Sequence, residues 1–204
     1  TKEDKPGIDI IIKPGTTNES VHIPVVLSES GLKDMVYNDF YIGENADVTI
    51  VAGCGIHNCG VDTSEHDGIH TFYIKKGAKV KYIEKHYGEG DGEGKRILNP
   101  TTIIHIEEDG YFEMDSVQIK GVDSTIRDTE ADLAKGASIV IHEKIMTHGP
   151  VSIWDYYLTN YADDGSVRYS PSKTTFALGE KPVAHPAYSP DAELGEDGKA
   201  TVTI

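Results

Sequence analysis

The sequence predicts an all-β solenoid, and three observations carry that reading. Helical periodicity is scarce, and apolar residues instead alternate within short runs such as DVTIVAG, TFYIKKGAKVKYIEKH, TTIIHIEEDGYFEMDSVQI and ASIVIHEKI. These runs share one template: an aliphatic residue, three residues, a small residue, then apolar residues two and four positions further on. The small residues Ala46, Ala78, Gly110 and Ala137 follow one another at intervals of 32, 32 and 27. A period of that size, with alternation inside each copy, marks coils that each offer an apolar face and bury it only by stacking. An antiparallel sandwich also has short strands and turns, but it gives no reason for one template to recur at equal spacing.

In chain order the copies read Ile42/Ala46/Val48/Ile50, Ile74/Ala78/Val80/Tyr82, Ile106/Gly110/Phe112/Met114 and Leu133/Ala137/Ile139/Ile141. Phe40, Phe72, Ile104 and Ala131, two residues ahead of each copy, extend the inward face. Stacking at about 4.8 Å should place Val48, Val80, Phe112 and Ile139 in one interior row. The first 20 residues fall outside the template. The tail after Gly149, rich in Pro, Gly and Ser, reads as irregular with a final strand at KATVTI. Trp154, Tyr156, Tyr157 and Tyr161 read as a cap on an open solenoid end or as a dimer edge.

At 204 residues the chain is long enough for one well-buried core. A net charge of −15 argues against a nucleic-acid duplex or an anionic membrane surface as partner. No apolar run is long enough to predict a membrane span. The opening TKEDKPGIDIII lacks the basic and apolar regions of a signal peptide. Two cysteines make no disulfide framework, so a reducing, cytoplasmic setting is expected. The phosphate-cradling G-x4-G-K-[ST] pattern is missing, which argues against ATP hydrolysis by the chain itself. The acidic, glycine-rich EGDGEG at 89–94 lacks the oxygen spacing of a calcium loop and is expected to be a mobile loop.

Chemistry concentrates in VAGCGIHNCGVDTSEHDGIH, residues 51–70, which holds both cysteines (Cys54, Cys59) together with His57, His66 and His70. Their spacings do not match a structural zinc motif, yet Gly53, Gly55, Gly60 and Gly68 would let a loop wrap tightly around an ion or cluster. His57, His66 and His70 are therefore candidate metal ligands, for zinc or iron, alongside the two thiols. Eight residues after each small residue stand Cys54, His86 and Gln118, which the repeat makes neighbours on adjacent coils. Cys54 and His86 could share a soft metal, or a charged imidazole could lower the thiol pKa; the alternative is a thiol packed as a small hydrophobe. On the activated reading Cys59 lacks such a partner and reacts more slowly. Glu84 and Glu143, each followed by Lys, read as exposed ion-pairing residues, and Asp123, Ser124 and Arg127 as a structural corner.

Three strings, HYGEG followed by NPTT, QIKGVDSTIR and EKIMTHG, resemble the core domain of the SufB/SufD family, the scaffold proteins of the SUF iron–sulfur cluster assembly system. The resemblance covers residues 21–149, leaving 1–20 as an N-terminal extension and 150–204 unmatched. It implies a right-handed parallel β-helix and a scaffold role in place of enzymatic turnover. The implied cargo is sulfur with iron or a transient iron–sulfur cluster. The implied partners are a SufC-type ATPase, a sulfur donor protein, and a related scaffold subunit or a second copy. On this resemblance Cys54 stands where the family has a sulfur-handling cysteine, with Cys59 as the alternative if the loop contains a gap. His86 stands where a second family cysteine ends the segment similar to VKYIEKH. A rival reading is a metal-dependent enzyme on a cupin-like β-barrel, using His66, His70, Glu84 and His105; the H-x-H step typical of such sites is missing.

Overall fold

A computed structural model describes residues 2–145 in full, together with the backbone of 151–161 and 167–172. Strands β1 (Asp9–Ile12), β3 (Lys33–Ile42), β5 (Ser64–Ile74), β8 (Thr101–Ile106), β10 (Thr125–Leu133) and β12 (Val151–Tyr161) lie side by side in one sheet. Strands β2 (Thr17–Leu27), β4 (Asp47–His57), β6 (Lys79–Glu89), β9 (Tyr111–Gln118) and β11 (Ser138–Ile145) form the second. The short β7 (Arg96–Leu98) pairs with β5 just ahead of Asn99 and Pro100, where the missing N–H of proline interrupts the strand. Pairing is parallel throughout both sheets until β13 (Val167–Ser172), which runs antiparallel to β12. The chain is thus a parallel β-solenoid, passing from the first sheet to the second and back in every coil. None of its described segments is a helix long and apolar enough to cross a membrane.

The register matches the sequence template. Val48 pairs with Val80, Val80 with Phe112 and Phe112 with Ile139, and the Ile50/Tyr82/Met114/Ile141 row runs beside it. In the opposite sheet Ile42, Ile74, Ile106 and Leu133 stack in register, as do Phe40, Phe72, Ile104 and Ala131. These rows face one another in the main apolar core. The interval of 27 has a local cause. His86 pairs with Gln118 at a separation of 32, whereas Arg96 meets Asp123 at 27. The missing residues therefore come out of the connection after β9.

Three parts of the chain differ from the sequence reading. Residues 9–20, expected to lie outside the repeat, contribute β1 and the start of β2, which pair with β3 and β4. A bulge hid this coil: the register shifts between Thr17 and Glu19, Asn18 takes φ 60°, and Glu19 falls where later copies place an apolar residue. Residues 150–204 were expected to be irregular, yet they contain β12 and β13, and β12 extends the first sheet. The suggested cap side chains at Trp154 to Tyr161 and the final KATVTI strand lie outside what the structure describes. The stretch at 51–70 is not one wrapped loop either. Most of it is the end of β4 and the start of β5, leaving only residues 58–63 as connection.

Candidate functional site

Along β5 and β6 the interior rows change from apolar to polar. Phe72, Val80 and Tyr82 belong to the main core, whereas His66, His70, Glu84 and His86 are also buried and face inward. A second, smaller apolar cluster of Leu27, Cys54, Ile56, Leu98 and Val122 lies beyond them. A cleft between the sheets is lined by Cys54, His66, Gly68, His70, Glu84 and His86, with Leu98, Asn99 and Pro100 at its wall. Cys54, His86 and Gln118 do occupy consecutive rungs of the second sheet, as the repeat predicts.

Glu84 is the hub. Tyr82 donates its hydroxyl to Oε1 at 3.1 Å, and Ser116 and Arg127 donate to Oε2 at 2.8 and 2.6 Å. Arg127 projects from β10 across the interior to the second sheet; it also donates to His86 Nδ1 at 3.1 Å and, through Nε, to Glu143 at 3.0 Å. His70 Nδ1 lies 2.6 Å from the Tyr82 hydroxyl, which is committed as donor to Glu84, so Nδ1 carries the proton. The same logic puts the proton of His86 on Nε2, since Nδ1 accepts from Arg127. Burial pushes Glu84 upward, but His86, Arg127, His70 and the Ser116 hydroxyl outweigh it and hold the group at about 2. Burial lowers both His70 and His86 to about 4, against the pull of Glu84. Both imidazoles are then neutral at pH 7, so Arg127 is the cation that balances Glu84 there.

These facts correct the expected chemistry of the thiols. Burial, reinforced by Glu84, pushes Cys54 up to about 12 despite Arg127, so the resting group is a thiol that His86 does not ionise. His86 is neutral because the cleft that brings it beside Cys54 also strips its water. Cys59, expected to have no imidazole partner, is exposed, and its sulfur lies 3.1 Å from His57 Nε2. Glu84 is not an exposed ion-pairing residue, and Arg127 is not a corner residue: both are almost fully buried at the centre of the network. Sequence spacing missed Arg127 because it lies 41 residues from His86 and 43 from Glu84, and in the other sheet. The available signal was a charged residue on the inward phase of an alternating strand, TIRDTEADL, where Thr125, Thr129, Ala131 and Leu133 are the buried neighbours.

The six sequence-chosen residues separate into two places. Cys54, His66, His70 and His86 line the cleft, whereas His57, on the last rung of the β4–β6 ladder, and Cys59, in the connection after it, lie outside. His66 is set up as a donor toward the cleft. Its Nδ1 lies 2.9 Å from Asp34, which fixes the proton there, and its buried Nε2 has no hydrogen-bond partner. At Gly68 an added Cβ would meet His66 Nε2 at 3.4 Å and His70 Nε2 at 3.6 Å, so this glycine brings the backbone close to both imidazoles. Soft and borderline metals suit this donor set of imidazole nitrogen, thiol and carboxylate. Among the described residues, however, only Glu113, Asp115 and His142 bring three donor atoms within 4.8 Å of one another. That outer-face trio is already an ion-pair network with Lys81, whose ammonium lies 2.8 and 3.2 Å from the two carboxylates. His105 stacks on Tyr73 and pairs with Asp132 away from the cleft, and parallel coils are incompatible with a cupin-like antiparallel barrel. No protein-family model, curated protein or solved structure matches the chain.

Proposed function

We propose that this protein is a non-catalytic scaffold of SUF-type iron–sulfur cluster assembly, working in the cytoplasm with a sulfur donor protein, a SufC-type ATPase and a related scaffold subunit or second copy. The observation that carries the reading is the interior cleft of the solenoid, where Cys54, His66, His70, Glu84 and His86 gather in place of an apolar core. Residue strings in β6, β9 and β10 resemble the SufB/SufD core, and a parallel β-solenoid is the architecture that resemblance implies. The cargo would be sulfur with iron, or a nascent cluster. The unpartnered Nε2 of His66 is the nitrogen available to a metal; His70 Nε2 lies 3.3 Å from the Asn38 side-chain amide and would have to give up that contact, while Arg127 balances the charge of Glu84.

Anaerobic reconstitution with ferrous iron and sulfide tests the reading. The wild-type chain should acquire visible charge-transfer absorption and bound sulfide, and Cys54→Ser/Cys59→Ser should lose most of both. A double variant that reconstitutes as well as wild type would overturn it. So would one tightly held zinc or iron per chain without sulfide.

A further inference from the structure

The last rung of the β4–β6 ladder pairs His57 with Glu89. His57 Nδ1 lies 3.3 Å from Glu89 Oε1, and His57 Nε2 lies 3.1 Å from the sulfur of Cys59. A thiol, an imidazole and a carboxylate thus follow one another in the order of an activated nucleophile: Nε2 faces the thiol, whose proton it can take, and the Glu89 carboxylate lies on the Nδ1 side of the ring. All three side chains are at the surface, in contrast to Cys54.

The connection that carries Cys59 is held in place. The buried Asn58 donates to the carbonyls of Asp62 at 2.8 Å and Lys95 at 3.4 Å, and its side-chain oxygen accepts from Gly60 N at 3.0 Å. The EGDGEG segment, expected to be a mobile loop, packs along it: Gly92 N donates to Asn58 O and Gly94 N to Gly60 O. Side chains would not fit there. A Cβ on Gly92 would come within 2.5 Å of the Cys59 carbonyl carbon. The glycines of 90–94 therefore allow one connection to lie on the other, and Glu89 enters that stack directly beside His57.

We infer that Cys59, His57 and Glu89 form a surface thiol centre that accepts a sulfane sulfur from a persulfide in solution. The thiol centre stands on this geometry; the choice of a persulfide as its substrate rests on the scaffold function proposed above. In the transfer, the Cys59 proton passes to His57 Nε2 as the sulfur attacks the outer sulfur of the donor R–S–SH. The Cys59–sulfur bond forms, the donor S–S bond breaks, and His57 returns its proton to the departing thiolate. The products are Cys59–S–SH and R–SH, with no net oxidation. Glu89 is a positioning residue that acts through His57. Cys54, walled in by Leu98 and its neighbours, is the poorer first acceptor.

The test treats the full chain, at pH 7.5, with limiting iodoacetamide and separately with glutathione persulfide, and reads each cysteine by peptide mass spectrometry. Cys59 should alkylate at least about tenfold faster than Cys54 and gain the mass of one sulfur atom. His57→Gln should slow both reactions at Cys59 by about tenfold or more, and Glu89→Gln by less. Cys54 labelling, compared in the same digests, should be unchanged, which excludes unfolding as the cause. Equal Cys59 rates in wild type and His57→Gln would overturn the centre, whatever the reconstitution experiment gives. Alkylation that depends on His57 without any sulfur gain would overturn the persulfide assignment. If sulfur gain depends on His57 but iron and sulfide do not reconstitute, the centre stands and the scaffold reading falls.

Discussion

At Glu84, His70 and His86 the fold holds one carboxylate ionised and two imidazoles neutral in a place with almost no water. The free carboxylate pKa is 4.5 and the imidazole pKa 6.5, against about 2 for Glu84 and about 4 for each histidine in the fold. Above pH 6.5 the imidazoles are neutral whether the chain is folded or not, and the fold has its full stability. Between 6.5 and 4 the unfolded chain binds protons that the folded interior refuses, so stability falls with pH. Between 4.5 and 2 Glu84 adds a loss of the same sign. Each imidazole is expected to cost on the order of 3 kcal/mol once the pH is below 4. Urea midpoints should therefore hold level from pH 7.5 to about 6.5 and decline from there to pH 4.5, with His86→Gln flattening the slope. A flat profile in wild type would show that these imidazoles are not held neutral. The membership of the cleft was partly legible: the repeat placed Cys54 over His86, and composition drew attention to His66 and His70. Their charge states were not. A neutral imidazole and a protonated thiol follow from burial, and the buried charge network is completed by Arg127, which arrives from a strand remote in sequence.

Each coil turns from the first sheet to the second through the same corner. The residue just ahead of the small one takes positive φ in every copy: Gly15 at 70°, Asn45 at 56°, Gly77 at 67°, Asp109 at 57° and Gly136 at 71°. The small residue donates back three positions, as Ala46 N does to Gly43 O and Ala78 N to Lys75 O, which closes a turn. Positive φ at its third position is what a type II turn demands, and Gly, Asn and Asp are the residues that tolerate it. The corners also bond to one another, Asn45 N to Lys76 O and Gly77 N to Glu108 O. The sequence displayed this device in full, at the position one residue before the template's small residue. Including it would have revealed the coil at Gly15, which apolar spacing alone hid behind the Asn18 bulge. Gly77→Ala should cost about 1–2 kcal/mol for the left-handed backbone. Asn45→Gly, which changes no φ requirement, should stay within about 0.5 kcal/mol. Equal urea midpoints for Gly77→Ala and wild type would mean that the corner does not constrain the stack.

For the whole molecule, stacking identical corners at one register makes like residues ladder up the solenoid. Phe40 stacks on Phe72 with ring centroids 4.4 Å apart, and Tyr41 on Tyr73 at 5.0 Å. Lys75–Glu107, Lys76–Glu108 and Lys81–Glu113 bridge neighbouring coils outside, where solvent screening keeps each contribution small. A stack of this kind buries every coil except the terminal ones, whose backbone edges and inward rows need covers. The two ends of the second sheet differ. At the start, β2 carries Pro24, which has no N–H to offer and blunts that edge. At the other end β11 holds no proline; its inward Ile139 and Ile141 pack against the core but are only partly buried. Among the described residues β11 has β9 on one side and no pairing strand on the other. Association with a second copy, or with a related scaffold subunit, should therefore take place at the β11 end. Sedimentation velocity of the purified chain should show a dimer as concentration rises. Ile139→Asp should shift it toward monomer, with the β-sheet circular dichroism of wild type showing that the coils remain stacked. Ile10→Asp at the opposite end should leave the dimer intact. A chain that sediments as a monomer at every concentration would mean that the β11 end is covered within the chain itself.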